Sequence, residues 1–294
     1  MSSKTVVTVV DAPRPHWVGD GFLVRPLFGP AAFTPAVSPF LMFDWAAPTV
    51  FPPRAEPHGV GPHPHRGFET VTIVYAGAAD HRDSAGHVDS IGVGDVQWMT
   101  AGAGVVHEEF HGRAVAEQGG TVSMAQLWVN LPAAHKMTPP RYQPILAADI
   151  PVVRFDGGRV RVIAGSWPGH GDAAVRGPAE TFTPLAVWDA DLDAGARFDA
   201  AVPEGWTALV SVLEGGVVVG GREAKSPRVV VLSRTGGDFA VTAGAEGAKL
   251  LVLAGAPIDE PIAAHGPFVM NTRDEIRTAI ADYSAGRMGA LAPR

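Results

Sequence analysis

Two histidines stand one residue apart in the stretch GPHPHRGFETVTIVYAG, residues 61–77. Side chains at positions i and i+2 of an extended strand share one face and lie about 6.6 Å apart along the chain. His63 and His65 are therefore expected to point to the same side, with Pro64 turned away. Converging imidazoles are typical ligands of a transition-metal ion, with Zn–N bonds of about 2.0–2.1 Å. Because two histidines alone bind a metal weakly, the pattern predicts further ligands elsewhere in the chain.

A second pair with the same spacing follows in GDVQWMTAGAGVVHEEF, residues 94–110. On a strand, His107 and Glu109 would share one face, whereas Glu108 would point the other way. Together the two pairs supply three imidazoles and one carboxylate. Nitrogen and oxygen donors of this kind suit Fe(II), Mn(II), Ni(II), Cu(II) or Zn(II), and a four-ligand site leaves coordination positions open for a substrate or for O₂.

Glu69 competes with Glu109 for the role of the carboxylate ligand. It lies four residues after His65 and would share the face of the first histidine pair if the strand continued unbroken through Gly67. The spacing alone does not choose between the two glutamates.

The composition limits the class of protein and the kind of site. The chain has 294 residues, of which 46% are hydrophobic and 18% charged, and this balance favours a compact globular fold over a disordered chain. It contains no cysteine, which excludes thiolate ligands and a cysteine nucleophile. The formal net charge of −7 does not favour direct binding of nucleic acid. Any metal must therefore be held by nitrogen and oxygen donors.

The hydropathy of the sequence indicates neither a membrane span nor a secretory signal. No window approaches 18 uninterrupted apolar residues, so no membrane span is expected. The first residues, MSSKTVVTVVDAPRPHWVGDG, lack the apolar segment of a secretory signal. We therefore predict a cytoplasmic protein.

The apolar runs are short, β-branched and separated by Gly, Pro and Asp, and this pattern predicts an all-β fold. Examples are TVVTVV, FLMFDW, ETVTIVY, SMAQLWVNL, RVRVIAG, TALVSVL, RVVVL and KLLVLAG. One helix is predicted near the C-terminus, where Thr272 and Glu275 fit a capping box and Gly286 fits a C-terminal stop. Three apolar residues at helical spacing form the stripe expected to pack on a sheet: Ile276, Ile280 and Tyr283.

A weak internal repeat indicates two similar β modules in tandem. VGDVQWMTAG at 93–102 resembles GGDFAVTAG at 236–244, and each follows a strand that ends in Gly. The irregular, proline-rich stretch 131–151 lacks strand alternation and is the expected boundary. We therefore expect an N-terminal domain of residues 1–135 and a C-terminal domain of residues 136–294.

Histidine is distributed unequally between the two modules. The first contains most of the histidines: His63, His65, His81, His87, His107 and His111. The second has none between His170 and His265. A bound metal is therefore expected in the N-terminal module, with a C-terminal module that lacks ligands.

The ordered motifs resemble a known family. The spacing H-x-H-x3-E is followed by a glycine-rich turn and a later histidine. This arrangement is similar to the two motifs of the cupin superfamily, whose fold is a jelly-roll barrel. More specifically, HPHRGFETVT, HRDS, GDVQWMTAGAGVVHEE, QLWVNLP and GPFVMNTRDEI resemble the pirin family over most of the chain. Val93 departs from this pattern, since pirins often have proline before the G-D of the second motif.

The resemblance implies two tandem cupin barrels with a C-terminal helix and one metal in the N-terminal barrel. Carried over from the pirin motifs, the implied ligands are His63, His65, His107 and Glu109, and Glu69 becomes a neighbouring residue that binds no metal. We expect one divalent transition metal, Fe(II) first, with Zn, Mn, Ni or Cu as alternatives that these ligands do not exclude.

The resemblance also implies a function. Some bacterial pirins resemble quercetin 2,3-dioxygenases, which use O₂ to cleave a flavonol with release of carbon monoxide, and Glu109 would then accept the proton of the substrate's 3-hydroxyl. Five apolar residues are candidates for the barrel wall, although plain barrel core is the simpler interpretation of each: Phe43, Trp45, Trp98, Met124 and Trp128. The competing hypothesis is a non-enzymatic metal-binding regulator with a protein partner, a transcription factor or a metabolic enzyme. We expect a monomer, because two barrels already share one chain.

Overall fold

The computed structural model describes residues 2–29, 36–168 and 174–292. In these ranges the chain forms β1 (Val6–Asp11), β2 (His16–Val18), β3 (Phe22–Phe28), β4 (Phe40–Phe51), β5 (Gly59–His65), β6 (Phe68–Ala76), β7 (Ala79–Asp83), β8 (Val88–Ile91), β9 (Val96–Thr100), β10 (Val105–His111), α1 (Arg113–Gln118), β11 (Gly120–Asn130), β12 (Arg141–Ile145), β13 (Val152–Phe155), β14 (Gly158–Ala164), β15 (Ser166–Trp167), β16 (Val175–Arg176), β17 (Leu185–Leu192), β18 (Arg197–Ala201), β19 (Thr207–Val219), β20 (Arg222–Lys225), β21 (Arg228–Leu232), β22 (Asp238–Gly255), β23 (Ala263–His265), β24 (Phe268–Met270) and α2 (Arg273–Ser284). The predicted all-β class is confirmed, and each apolar run quoted above lies on a strand, apart from one end residue in three of the runs.

The strands divide into two compact units. The N-terminal unit begins at Arg14, contains Phe40–Ala147 and includes the chain again from Asp259. Its two main sheets have the strand orders β12-β9-β6-β11-β4-β3-β2 and β5-β10-β7-β8. Side chains of the second sheet hydrogen-bond to side chains of the first, so polar inner faces of the two sheets meet inside this unit.

The C-terminal unit contains the chain up to Pro13, a short segment that ends at Pro39, and Ala148–Ile258. Its main sheet has the order β1-β21-β19-β22-β17-β14-β13, with β18 paired to β22 and β20 paired to β19. The inner face is packed with alternate residues of long apolar strands, and Val210, Val230 and Val252 are fully buried. This unit therefore has a hydrophobic core of its own.

The two units are not separated at a single point of the chain near residue 135, because each contains segments from both sides of it. Strand β1 pairs antiparallel with β21, with Val9 opposite Val230, which joins the first strand of the chain to the C-terminal unit. In the N-terminal unit, Phe268 and Ile276 pack with Val106 in one buried cluster. Apolar burial at both chain ends thus crosses the boundary that composition suggests.

The stretch 131–151 is more regular than its composition predicts. Residues Arg141–Ile145 form β12, which pairs with β9 and extends the larger sheet of the N-terminal unit. The stretch therefore contains a strand although its sequence lacks strand alternation. The pairing partner lies more than 40 residues away in sequence, so local alternation does not reveal it.

The C-terminal helix begins as predicted, but Ile276 is the one residue of the predicted apolar stripe that is buried. In α2, the Thr272 side chain accepts from the backbone N–H of Glu275, and the Glu275 side chain accepts from the backbone N–H of Thr272. Ile276 and Ala279 are buried, whereas Ile280 and Tyr283 are each 40% exposed. The small Ala279 side chain allows close packing, which shifts the buried stripe from the one expected. Neither helix in the described ranges is long and apolar enough to cross a membrane.

Candidate metal centre

The two histidine pairs meet because β5 and β10 are antiparallel neighbours. His107 lies directly opposite His63, and Val105 lies opposite His65. Residues that face each other across such a ladder point to the same side of the sheet. The ring centroids of His63 and His107 are 4.3 Å apart, and that of His65 is 4.8 Å from each. One potential ligand atom from each imidazole lies within 4.8 Å of the others.

The hydrogen bonds leave several of these ring nitrogens without a partner. His63 donates from Nδ1 to the carbonyl of Gly61 at 2.9 Å, so its Nε2 keeps the lone pair. His107 is 0% exposed, and among the described residues neither of its nitrogens has a hydrogen-bond partner. Nδ1 of His65 is buried and unpaired in the same way. Such unpaired polar atoms are rare in a protein interior unless a ligand satisfies them.

Burial also fixes the charge state of the two inner histidines. Desolvation lowers the pKa of His65 well below its usual value, and the neighbouring His63 acts in the same direction. Desolvation likewise lowers the pKa of His107, with His65 and His63 adding to the effect. A neutral imidazole is the form that binds a metal. Neutral rings with unsatisfied lone pairs that converge on one point therefore fit a transition-metal ion.

Glu109 lies beside this cluster but forms a second group. A β-bulge separates it from His107 in the ladder with β5, and across the other edge of β10 it lies opposite His81. Potential ligand atoms of His81, His107 and Glu109 lie within 4.8 Å of one another. The structure therefore contains two overlapping groups that share His107, one with the two other predicted histidines and one with the predicted glutamate.

Three side chains from the larger sheet hold the Glu109 carboxylate. Gln97 donates from Nε2 to Oε1 at 2.5 Å, and the Thr72 hydroxyl donates to the same oxygen at 3.2 Å. Gln126 donates from Nε2 to Oε2, also at 3.2 Å. These neutral donors orient a carboxylate without neutralising it, as outer-shell partners of a metal ligand do. These three donors could not be identified from spacing, because they reach Glu109 only through the pairing of β6, β9 and β11 in the folded sheet.

Glu69 lies outside both groups. Gly67 has φ +87° and separates β5 from β6, so the strand is broken between His65 and Glu69. Glu69 therefore lies on β6 in the larger sheet, where it accepts a hydrogen bond from the Thr100 hydroxyl at 2.7 Å. The condition under which Glu69 would share the face of the histidines is not met.

Burial makes Glu69 a source of pH-dependent stability. Its side chain is 1% exposed, and desolvation raises its pKa from 4.5 to about 7 against the opposing hydrogen bond from Thr100. The folded protein thus keeps this proton to a higher pH than the unfolded chain. This contribution to stability is present below the unfolded pKa and is lost as pH rises towards 7. The free energy of unfolding of Glu69→Gln, relative to wild type, should therefore be about 2–3 kcal/mol larger at pH 8 than at pH 5.

The measurement is urea unfolding of both proteins at the two pH values, with identical metal loading. The difference between wild type and variant isolates Glu69 from the histidines, which titrate in both. Glutamine can still accept from Thr100 and has nearly the same volume, so the packing is matched. A difference that stays constant between pH 5 and pH 8 would show that Glu69 does not carry a raised pKa.

His81 is a member of the site that the spacing of the main motifs does not identify. Its Nε2 pairs with Oδ2 of Asp83 at 3.2 Å, its ring stacks on Tyr142 at 4.8 Å, and its Nδ1 is buried without a partner among the described residues. Asp83 also pairs with His87 at 2.8 Å. Burial tends to raise the pKa of Asp83, but the hydrogen bonds from the two histidines prevail and lower it. The i, i+2 spacing in DHRDS was the available signal.

A cavity of about 660 Å³ opens beside the histidines in the N-terminal unit. His63, His65 and Glu109 line one part of it, and most of the remaining wall is apolar. Two of the five predicted wall residues, Met124 and Trp128, line this cavity. The other three are buried core residues: Phe43, Trp45 and Trp98. The reason is strand alternation, since on β4 the residues that line the cavity are the even-numbered Met42, Asp44 and Ala46.

Two β units in tandem, one with a cluster of histidines on an inner face beside a cavity, define a two-domain cupin protein. A family model described as pirin matches residues 21–129, and a model described as the pirin C-terminal cupin domain matches residues 187–289. The chain belongs to the pirin family.

Similar proteins cover almost the whole chain. A Pseudomonas aeruginosa protein named "Putative quercetin 2,3-dioxygenase" is 49% identical over 97% of this chain and 98% of its own length. Pirin of Homo sapiens is 34% identical over 98% of this chain and 96% of the human protein. A crystal structure of quercetin 2,3-dioxygenase from Acinetobacter baumannii has a TM-score of 0.94 at 50% identity, and the match covers 99% of this chain and 100% of that one.

Proposed function

We propose that this protein is a metal-dependent dioxygenase that cleaves a flavonol with O₂, in the manner of quercetin 2,3-dioxygenase. The observation that carries the proposal is the convergence of buried, unpaired imidazole nitrogens at the wall of an apolar cavity. The names of the relatives from Pseudomonas aeruginosa and Acinetobacter baumannii support the same activity. A cavity of this size and apolar character suits a drug-sized planar ligand.

Four residues would hold the metal: His63, His65, His107 and Glu109. Fe(II) is the first candidate, and the nitrogen and oxygen donors are also compatible with Mn, Ni, Cu or Zn. When bound, a divalent metal supplies a Lewis acid that lowers the pKa of a hydroxyl group next to it. In this proposal the hydroxyl is the 3-hydroxyl of the flavonol.

Glu109 is the group of the chain that would take up the hydroxyl proton. Among the described residues, its Oε1 accepts from Gln97 and Thr72, whereas Oε2 accepts from Gln126 alone. A carboxylate offers about four lone-pair sites, so Glu109 keeps acceptor capacity for the metal and for the hydroxyl proton beside these hydrogen bonds. Gln126 also lines the cavity, and its amide N–H remains in position to donate to the carboxylate before and after the proton is taken up.

The apolar wall supports the oxidative step by excluding water. Met124 and Trp128 cover the cavity next to the histidines, and the Trp128 ring lies 5.3 Å from the ring of His65. The overall reaction is balanced without a further reductant, because both atoms of O₂ enter the cleaved product while one ring carbon leaves as carbon monoxide. The chain therefore has to bind, deprotonate and shield the flavonol, and no second cofactor is required.

The test is anaerobic metal analysis followed by reconstitution with Fe(II), Mn(II), Ni(II), Cu(II) or Zn(II) and addition of quercetin. We expect one metal per chain and, with at least one metal, loss of quercetin matched by equal O₂ uptake and carbon monoxide release. Inorganic metal in the same buffer without protein is the control. One metal per chain with no turnover under any metal would instead support a regulatory protein, and a search for a protein partner would follow.

A further inference from the structure

Four polar side chains form one row across the larger sheet of the N-terminal unit. Asp44 on β4 lies opposite Gln126 on β11, which lies opposite Thr72 on β6, which in turn lies opposite Gln97 on β9. Directly opposed residues of neighbouring strands point to the same face. The row therefore runs along the inner face of the sheet, from the cavity wall to the back of the candidate metal centre.

Three members of this row are satisfied and one is not. Gln97 and Gln126 donate to Glu109 from their amide groups. The single proton of the Thr72 hydroxyl is shared between Gln126 Oε1 at 2.7 Å and Glu109 Oε1 at 3.2 Å. Asp44 is the end of the row. In the part of the chain that the structure describes, no group donates a hydrogen bond to its carboxylate, and only the exposed His16 attracts it electrostatically.

The surroundings of Asp44 make this lack of a partner costly. The residue is 7% exposed and lines the cavity among apolar neighbours that include Val24, Met42 and Ala46. Desolvation raises its pKa from 3.8 to about 6. A buried acceptor in an apolar wall is unfavourable unless a hydrogen bond compensates it. Since the described residues supply no donor and the carboxylate faces the cavity, water or a hydroxyl group of a ligand in the cavity has to supply it.

The position of Asp44 indicates which part of a ligand it meets. It lies one strand beyond Gln126, about 4.8 Å farther from the metal centre at the usual strand spacing. Gln126 is the residue that connects the two ends, because it lines the cavity and donates to Glu109. A ligand whose oxygens lie at the histidines would therefore present a more distant group to Asp44.

We propose that the Asp44 carboxylate accepts a hydrogen bond from a phenolic hydroxyl of the substrate remote from the oxygens at the metal centre, so that the site selects polyhydroxylated flavonols. This inference rests on the proposed function, which it extends from a reaction to a substrate class. A site with a buried acceptor discriminates strongly against an analogue that lacks the matching hydroxyl, because the acceptor is then left unpaired.

The test compares quercetin with 3-hydroxyflavone, which keeps the 3-hydroxyl and carbonyl but lacks the remote hydroxyls. Equilibrium binding of each to the Zn(II)-loaded protein is followed by quenching of tryptophan fluorescence. For Asp44→Leu we expect quercetin affinity to fall about 10- to 100-fold, the range of a hydrogen bond to a charged group, with no loss for 3-hydroxyflavone. Asp44→Asn keeps a neutral acceptor and should lose less.

Two controls separate this effect from charge and folding. Asp199→Asn makes the same change of charge at an exposed residue of the C-terminal unit, paired with Arg197, and should leave both affinities unchanged. Metal content and Tm of each variant verify the fold, and neither Asp44 variant should lower Tm, because each removes a buried charge.

Each outcome decides the inference. A loss confined to quercetin supports it, whereas equal losses for both flavonols, no loss, or a wild type that binds neither flavonol overturns it. Binding selectivity that depends on Asp44 in a protein without turnover would contradict the proposed dioxygenase while supporting the role of Asp44. Turnover of quercetin that does not change in the Asp44 variants would support the proposed dioxygenase and contradict the role of Asp44.

Discussion

His107→Ala is expected to abolish metal binding and flavonol turnover. His107 belongs to both groups of potential ligands, so its loss damages the site whichever group holds the ion. Both of its nitrogens are also buried and unpaired among the residues that the structure describes. Loss of a mere outer-shell partner costs about 10–100-fold in metal affinity, and loss of a direct ligand should cost more. Metal content measured after dialysis, together with quercetin turnover, tests this expectation.

A matched control is His265→Ala. His265 is exposed on β23 and belongs to neither ligand group, so it tests whether loss of any histidine lowers the metal content. Circular dichroism should show a retained β spectrum for both variants, since the buried ring that His107→Ala removes makes no hydrogen bond to the described residues. Stoichiometric metal in the His107 variant would refute the assignment of the histidine cluster as the metal site.

The pairs His63/His65 and His107/Glu109 could be predicted from the sequence because strand geometry is local. An i, i+2 spacing fixes the relative direction of two side chains once the segment is known to be extended. The meeting of the two pairs is not local. It depends on the register of β5 with β10, where His107 lies opposite His63, and the resemblance to a family supplied this step.

Glu69 shows where parity arguments stop. Counting residues from His65 assumes a continuous strand. The positive φ of Gly67 breaks the strand, so the count does not apply to Glu69. The supporting row of Asp44, Gln126, Thr72 and Gln97 was equally out of reach, because its four members come from four strands that join only in the folded sheet. Composition and spacing identify potential ligands, whereas the residues that orient them depend on nonlocal pairing.

The domain organisation was predictable only in outline. The repeat and the distribution of histidines indicated two β modules, with ligands in the first. The pairing of β1 with β21 could not be inferred from TVVTVV, since any exposed strand edge can accept an apolar β-branched strand. The chain ends therefore belong to units that their position in sequence does not suggest.

Gly67→Ala is the second substitution with a large expected effect. A Cβ at this position would lie 2.0 Å from the carbonyl oxygen of Val269, and φ is +87°, a conformation that alanine rarely adopts. Neither segment can move freely, because Lys136 Nζ donates to the carbonyls of both Gly67 and Val269 at 2.8 and 3.0 Å. We expect a loss of about 4 kcal/mol or more in the free energy of unfolding, in the range reserved for severe steric or buried-polar defects.

Gly86→Ala separates backbone strain from the steric clash. Gly86 has a similar φ of +98°, but no heavy atom lies within 4 Å of the position of its Cβ. Strain alone should cost this control about 1–2 kcal/mol. Urea unfolding of the two variants measures the difference. Because β5 ends two residues before Gly67, the Gly67 variant should also bind metal more weakly, whereas equal stability and equal metal affinity of the two variants would show that the turn at Gly67 does not position the histidine pair.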